Sequence, residues 1–279
     1  MSLKSYIKRG LQYIAHGVPT VSVSANITYS SPDNRLRGKN IVITGGARGL
    51  GLAMAKKFIS EGAKVLISGR NEETLKKVSE EIGCKYIVYD VCDADNAEDF
   101  MKSADKMLGG VNVLVNNAGI SLHEWIIDAV TVDKFDRQIN TNLRGGYFLT
   151  KYFVKILKES NRTGNVLFVS SERGEQTDDI PYGLTKAAIN SFVKGIAPEI
   201  IKYGIRINAI APGITASDMT GWDANGNLYC SGNPNGRIYL PEEVAEVALF
   251  LVSDISSCVS GQIIACNDGK TGNSRHMYK

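Results

Sequence analysis

A short β-branched run, Asn40-Ile41-Val42-Ile43, meets the glycine-rich turn Thr44-Gly45-Gly46-Ala47-Arg48-Gly49-Leu50-Gly51. The turn opens into Leu52-Ala53-Met54-Ala55-Lys56-Lys57-Phe58-Ile59, whose apolar residues fall at helical spacing. No other stretch limits the fold as sharply. Glycine allows a sharp turn with positive φ and lets a pyrophosphate lie against bare backbone. The helix N-terminus offers unpaired N–H groups and the positive end of its dipole. Strand, glycine turn and helix in this order read as a dinucleotide-binding turn; the plain alternative is a structural turn.

The rest of the chain alternates in the same way. Apolar runs at 41–44, 65–68, 86–89, 111–115, 166–169, 205–210 and 263–265 read as seven strands. Their near-continuous apolar character predicts burial on both faces, as in a parallel sheet. Helical patterns lie near 50–61, 72–82, 96–108, 132–159, 183–202 and 241–253. Thr131 and Pro241 look like helix starts, with early acids behind them. This order predicts an α/β fold: a doubly wound, mostly parallel seven-stranded sheet with helices on both faces, Rossmann-like. Residues 39–279 read as a single domain, with a long polar loop at about 216–240. Residues 1–38 form an added N-terminal arm. Leu3, Tyr6, Ile7, Leu11 and Ile14 share one face of a short basic helix, and Val21 to Tyr29 alternates apolar and polar like an extended segment. The arm is expected to pack on its own domain or a neighbouring subunit, or to dock on a partner or a membrane surface through its basic helix.

Composition removes several function classes. The 279 residues are 43% hydrophobic and 22% charged with a net charge of +3, too little to argue for nucleic acid. No apolar run has the length of a transmembrane segment. Cys84, Cys92, Cys230, Cys258 and Cys266 form no CxxC pair, which fits reduced thiols in the cytoplasm. His16, His123 and His276 are far apart, and no metal site is expected.

The second strand ends at Ser68-Gly69-Arg70-Asn71, where a dinucleotide fold meets the adenosine ribose. An acid there would bind the ribose hydroxyls of NAD(H). None is present, and Arg70 with Arg48 of the glycine turn favours the 2′-phosphate of NADP(H). NAD(H) stays possible. Asp90 and Val91, ending the third strand, read as adenine contacts or as a loop cap.

Four further motifs follow in order: Asn117-Ala118-Gly119 after Asn116, Asn142-Leu143-Arg144-Gly145, Ser170-Ser171, and Tyr182-Gly183-Leu184-Thr185-Lys186. Ala211-Pro212-Gly213-Ile214-Thr215-Ala216-Ser217 closes the series. With Thr44-Gly45-x-x-x-Gly49-x-Gly51 they resemble the short-chain dehydrogenase/reductase family over about residues 39–270. The resemblance implies an oxidoreductase that interconverts a carbonyl and a secondary alcohol by hydride transfer. It implies Tyr182 as acid/base, Lys186 as the group that lowers its pKa and holds the nicotinamide ribose, Ser171 on the substrate oxygen and Asn142 in a proton relay. Cofactor contacts are implied at Gly45, Ala47, Gly49, Leu50, Gly51, Asn117, Ala118, Gly119, Pro212, Gly213, Thr215 and Ser217. A homodimer or homotetramer is implied as well.

Departures from that pattern set expectations of their own. Ser171 and Tyr182 are only eleven residues apart, so the loop between them is tight and Ser170 competes for the serine role. Pro198 should kink or restart its helix. Lys270 stands where family members often carry a second glycine, and the sequence offers no reason for it. The loop from Gly221 to Gly236 is rich in Asn, Gly and Asp, and loops of this kind are often mobile. His123 and Trp125 are candidates for the pocket mouth. Such polarity favours a sugar or polyol derivative as substrate; a 3-oxoacyl thioester is the alternative. A non-catalytic cofactor-binding regulator or assembly protein is the alternative of another class.

Overall fold

The structure is a computed structural model that describes residues 21–25 and 33–270. The seven strands are β1 (Asn40–Thr44), β2 (Lys64–Gly69), β3 (Lys85–Val88), β4 (Val113–Asn116), β5 (Gly164–Val169), β6 (Ile205–Pro212) and β7 (Ile263–Cys266). They form one sheet in the order β3-β2-β1-β4-β5-β6-β7, and every pairing is parallel. Seven α-helices connect the described strands: α1 (Gly49–Ser60), α2 (Glu72–Ile82), α3 (Ala97–Leu108), α4 (Val132–Gln138), α5 (Gly145–Glu159), α6 (Pro181–Ile200) and α7 (Pro241–Val252).

The two-residue period of each strand sorts its side chains between two layers. Ile41 and Ile43 pack with Met54 and Phe58 of α1, Leu75 of α2 and Leu249 of α7. Val42 points the other way, into a core with Phe100 of α3, Phe153 of α5 and Val193 of α6. Phe58 and Phe153 are fully buried; each contributes roughly 1.5–3 kcal/mol from burial alone. Strand order reverses between β1 and β4, so a crevice opens beyond their C-terminal ends.

Local chemistry sets the helix ends. Asn71 accepts a hydrogen bond from the Thr74 amide at 2.8 Å to start α2, and Thr131 accepts from Lys134 at 3.3 Å to start α4. Pro241 opens α7, where the Glu243 carboxylate accepts from the Leu240 amide at 2.8 Å. The helix expected over 132–159 is interrupted: a π-helical segment, Ile139–Arg144, joins α4 to α5. Pro198 does not restart α6, which runs through it to Ile200. Lys194, whose carbonyl loses its partner, is exposed, so water can replace the missing bond.

The helical part of the arm lies outside the described residues. Of the expected extended segment, residues 21–25 are described, and they run along the long polar loop. The Val23 carbonyl accepts from the Leu228 amide at 3.1 Å, and Asn227 bonds the Val23 amide at 3.0 Å and the Val21 carbonyl at 2.9 Å. Ala25 leans on a small loop core of Ala216, Leu228, Ile238 and Leu240.

Ahead of β1, Leu36 is fully buried and Glu61 anchors the chain around it. The buried Glu61 carboxylate pairs with Arg35 at 2.9 Å and Lys57 at 3.2 Å and accepts from the Asp33 amide at 3.2 Å. Burial alone would raise its pKa; these hydrogen bonds outweigh it and hold the carboxyl below its ordinary value. A depressed carboxyl stabilises the fold above its unfolded pKa and loses that contribution as pH falls through the folded value. Glu61→Gln should therefore cost about 3 kcal/mol at neutral pH, a Tm drop of roughly 5–10 °C. Its stability should also fall less steeply than the wild type's below a pH of about 4. Equal Tm values at pH 7 would show that the cluster contributes nothing.

Candidate active site

The crevice is built from the switch point outward. Thr44 Oγ1 accepts from the amides of Asn117 and Ala118, both at 3.1 Å, and donates to the Val115 carbonyl at 3.3 Å. Asn117 Nδ2 donates to the carbonyls of Thr44 at 2.9 Å and Gly45 at 3.0 Å. These bonds lock the glycine turn to the end of β4. Gly45 has φ +64°, and a side chain at Gly51 would collide with the Gly45 carbonyl and the Asn117 amide. The turn thus brings bare backbone to the start of α1. No side chain caps α1, and its first turn carries no acid, unlike α2. Its N–H groups face the cleft with the dipole unopposed.

The cleft measures about 860 Å³. Gly45, Ala47, Arg48, Gly49, Leu50, Gly51, Arg70, Asp90, Val91, Asn117, Ala118 and Gly119 line it from the glycine turn and the segments after β2, β3 and β4. Ser170, Ser171, Tyr182, Lys186, Pro212, Gly213, Thr215 and Ser217 line it from α6 and the segments that end β5 and β6. Ser68 Oγ is buried there without a hydrogen-bond partner among the described residues. An orphaned hydroxyl, an open glycine cradle and an uncapped helix together fit a dinucleotide. Asp90 also caps its own loop by accepting from the Cys92 amide at 2.9 Å. Arg48 faces Asp218 of the long polar loop at 3.3 Å, and both side chains are exposed.

The end of β5 delivers two serines with different surroundings. Ser170 Oγ is buried and bonds Asn190 at 2.6 Å, whereas Ser171 Oγ accepts from the Arg173 amide at 3.3 Å and lines the cleft with Tyr182. The tight loop between them is a 3₁₀ turn, Glu172–Glu175, closed by a bidentate pair from Arg173 to Asp178 at 2.6 and 2.7 Å. Tyr182 and Lys186 sit one turn apart on α6, with Lys186 Nζ 5.5 Å from the Tyr182 ring centre and 2.9 Å from the Val169 carbonyl. Burial pushes the Tyr182 phenol above its ordinary pKa, against the downward pull of Ser171 and Arg173. Burial also lowers Lys186 to about 8. Burial is the largest influence on the Tyr182 phenol, and Lys186 is not among the groups that shift it.

Asn142 stands behind the cleft wall rather than in it. It exchanges hydrogen bonds with the Ile120 backbone at 2.8 and 2.9 Å and donates to Thr185 at 3.2 Å. The π segment places it there; such segments recur at functional sites. His123 and Trp125 do not line the cleft, and Trp125 is 82% exposed. Sequence reasoning missed Ser68, Thr74, Ile120, Met219 and Thr220 as lining residues. Ser68 alone carried a signal, a polar residue closing an apolar strand.

Within the loop from Ala216 to Leu240, Leu228 to Ile238 is hydrogen-bonded into an antiparallel hairpin. Beside it Tyr239 bridges Thr215 in parallel, with the Tyr239 amide on the Ile214 carbonyl and the Ala216 amide on the Tyr239 carbonyl, both at 2.9 Å. Leu228 pairs with Ile238 and Cys230 with Gly236, each at 2.9 Å.

The family profile described as enoyl-(acyl carrier protein) reductase matches residues 45–271. A 3-oxoacyl-(acyl-carrier-protein) reductase of Thermotoga maritima is 36% identical over 244 residues, 84% of this chain and 98% of its own. The L-fucose dehydrogenase of Bos taurus is 30% identical over 255 residues, 86% of this chain and 93% of its own. The crystal structure of gox2181 superposes with a TM-score of 0.78 at 28% identity, covering 85% of this chain and 98% of that one. Profile, full-length relatives and fold agree: this chain belongs to the short-chain dehydrogenase/reductase family of Rossmann-fold, NAD(P)(H)-dependent oxidoreductases.

Proposed function

We propose that this protein is an NADP(H)-preferring oxidoreductase that interconverts a carbonyl and a secondary alcohol, with Tyr182 as its acid/base. The observation that carries this reading is Tyr182 one helical turn from buried Lys186, whose Nζ lies 5.5 Å from the Tyr182 ring, in a cleft that Ser171 and the glycine turn also line. The glycine turn and α1 would hold the pyrophosphate, Arg48 and Arg70 the 2′-phosphate, and Asp90 and Val91 the adenine. Asn117, Ala118 and Gly119 would line the adenosine side, and Pro212, Gly213, Thr215 and Ser217 would meet the nicotinamide. When bound, the cofactor supplies a hydride for reduction or takes one in oxidation.

The protein's own part is the proton. Tyr182 Oη, held protonated by burial, gives its proton to the carbonyl oxygen as negative charge develops there. The Ser171 hydroxyl donates to the same oxygen and stabilises that charge. Lys186 is fixed by Val169 with donors to spare for a ribose hydroxyl. Asn142 braces the Ile120 segment and Thr185 behind it.

A polar substrate, such as a sugar or polyol derivative, is supported by the exposed Asn and Asp side chains of the loop. The L-fucose dehydrogenase relative supports it too. A 3-oxoacyl thioester is supported by the Thermotoga maritima relative. Assays with L-fucose and NADP⁺, and with acetoacetyl-coenzyme A and NADPH, separate the two. Exposed Trp125, Ile126, Ile127, Val132, Phe135 and Tyr147 fit contact between copies of the chain, and the five unpaired cysteines fit a cytoplasmic setting.

Tyr182→Phe should lower kcat by roughly 1000-fold and leave NADPH affinity within about twofold; unchanged turnover would remove Tyr182 from the chemistry. Arg70→Ala should weaken NADPH about 10- to 100-fold and NADH about twofold at most. Equal losses would dismiss phosphate recognition. A plot of kcat/KM for NADPH should be level below a pH of about 8 and fall above it, as Lys186 loses its proton. A level profile to a pH of about 10 would deny that role.

A further inference from the structure

Lys270 has a structural explanation that the sequence did not offer. It follows β7, its side chain is 18% exposed, and its ammonium meets two distant segments. Nζ donates to Glu172 Oε1 at 2.9 Å and to Asn233 Oδ1 at 3.2 Å, partners 98 and 37 residues away. Both partners are buried. Glu172 is further tied by Asn267, whose amide donates to Oε2 at 3.3 Å.

Each partner controls a piece of the site. Glu172 directly follows Ser171 and opens the 3₁₀ turn on which Ser171 sits. That turn is closed by the Gly174 amide on the Ser171 carbonyl at 2.9 Å, and Ser171 Oγ accepts from the Arg173 amide at 3.3 Å. Displacing Glu172 therefore displaces Ser171. Asn233 closes the tip of the hairpin: its side-chain amide donates to the Arg237 carbonyl at 2.7 Å, and its own carbonyl accepts from Gly236 at 2.9 Å. Lys270 thus joins the serine turn to the loop hairpin.

A buried ion pair is a poor source of net stability, because both charges lose hydration and the lysine loses rotamer freedom. What it supplies is fixed geometry. We propose that Lys270 is a positioning residue: through Glu172 it sets Ser171, and through Asn233 it docks the hairpin around Cys230 to Arg237 against the same turn. The hairpin is then docked rather than free, and Lys270 determines how tightly a carbonyl substrate is held. Its effect on catalysis rests on the reaction proposed above; its effect on the loop does not.

The test compares the full-length wild type with Lys270→Met, Lys270→Arg and the double variant Glu172→Gln/Lys270→Met. Hydrogen exchange is followed by peptide, NADPH affinity by nicotinamide fluorescence, and turnover with ethyl acetoacetate as carbonyl probe. In Lys270→Met, exchange across 228–238 should rise about tenfold or more while β1 to β6 stay protected. KM for ethyl acetoacetate should rise about fivefold, kcat should fall by less than about threefold, and NADPH affinity should hold within about twofold. Lys270→Arg, which keeps charge and donors, should restore slow exchange. The double variant removes the unpaired buried carboxylate, so it should regain thermal stability while the hairpin stays fast-exchanging. The proposal is overturned by unchanged hairpin exchange in Lys270→Met, by equal acceleration throughout the sheet, by no rescue with arginine, or by a double variant with a protected hairpin. Wild type that leaves ethyl acetoacetate unreduced would count against the proposed reaction on such carbonyls, while the exchange comparison still decides the role of Lys270.

Discussion

Two hydrogen bonds from the Asn117 side chain to the carbonyls of Thr44 and Gly45 hold this site together. They join β1 to β4 where the strand order reverses, the only place in the sheet where neighbouring crossovers leave in opposite directions. Thr44 Oγ1 completes the joint by accepting from the next two amides. Around this joint the glycine turn can present bare backbone, and α1 can begin without a cap. An uncapped, undecorated helix start is unfavourable in itself. Its presence at the deepest point of the cleft is why the fold reads as a dinucleotide site and not as a mere turn.

The part of the cleft around Tyr182 and Lys186 depends on burial. Desolvation moves Tyr182 and Lys186 toward their neutral forms, and the Ser171 and Arg173 contributions only partly oppose it for the tyrosine. Charges close by are held in pairs: Arg173 with Asp178, and Glu172 with Lys270.

Much of this was legible in the sequence because it rests on short-range patterns. Apolar runs such as Ile41-Val42-Ile43 gave the strands, and a spacing of four placed Tyr182 and Lys186 on one helix face. That Asn190 holds Ser170 while Ser171 starts a 3₁₀ turn was not legible, since adjacent residues on a strand end differ only in which way they point. The π segment around Asn142 was hidden for a similar reason: its composition is helical, and only the hydrogen-bond register departs. His123 and Trp125 were misplaced because nearness to a motif in sequence says nothing of direction. Lys270 was opaque because its partners lie 98 and 37 residues away, and only the folded chain brings them together.

The central claim is that the cleft at the β1–β4 switch point binds a nicotinamide dinucleotide phosphate and delivers it to Tyr182. Equilibrium titration of the wild-type protein with NADPH and NADH, followed by nicotinamide fluorescence, tests it most directly. Saturable binding of one NADPH per chain, at least about tenfold tighter than NADH, is the predicted result. Binding of neither cofactor would contradict the account, and tighter binding of NADH would show that Arg48 and Arg70 do not read a 2′-phosphate.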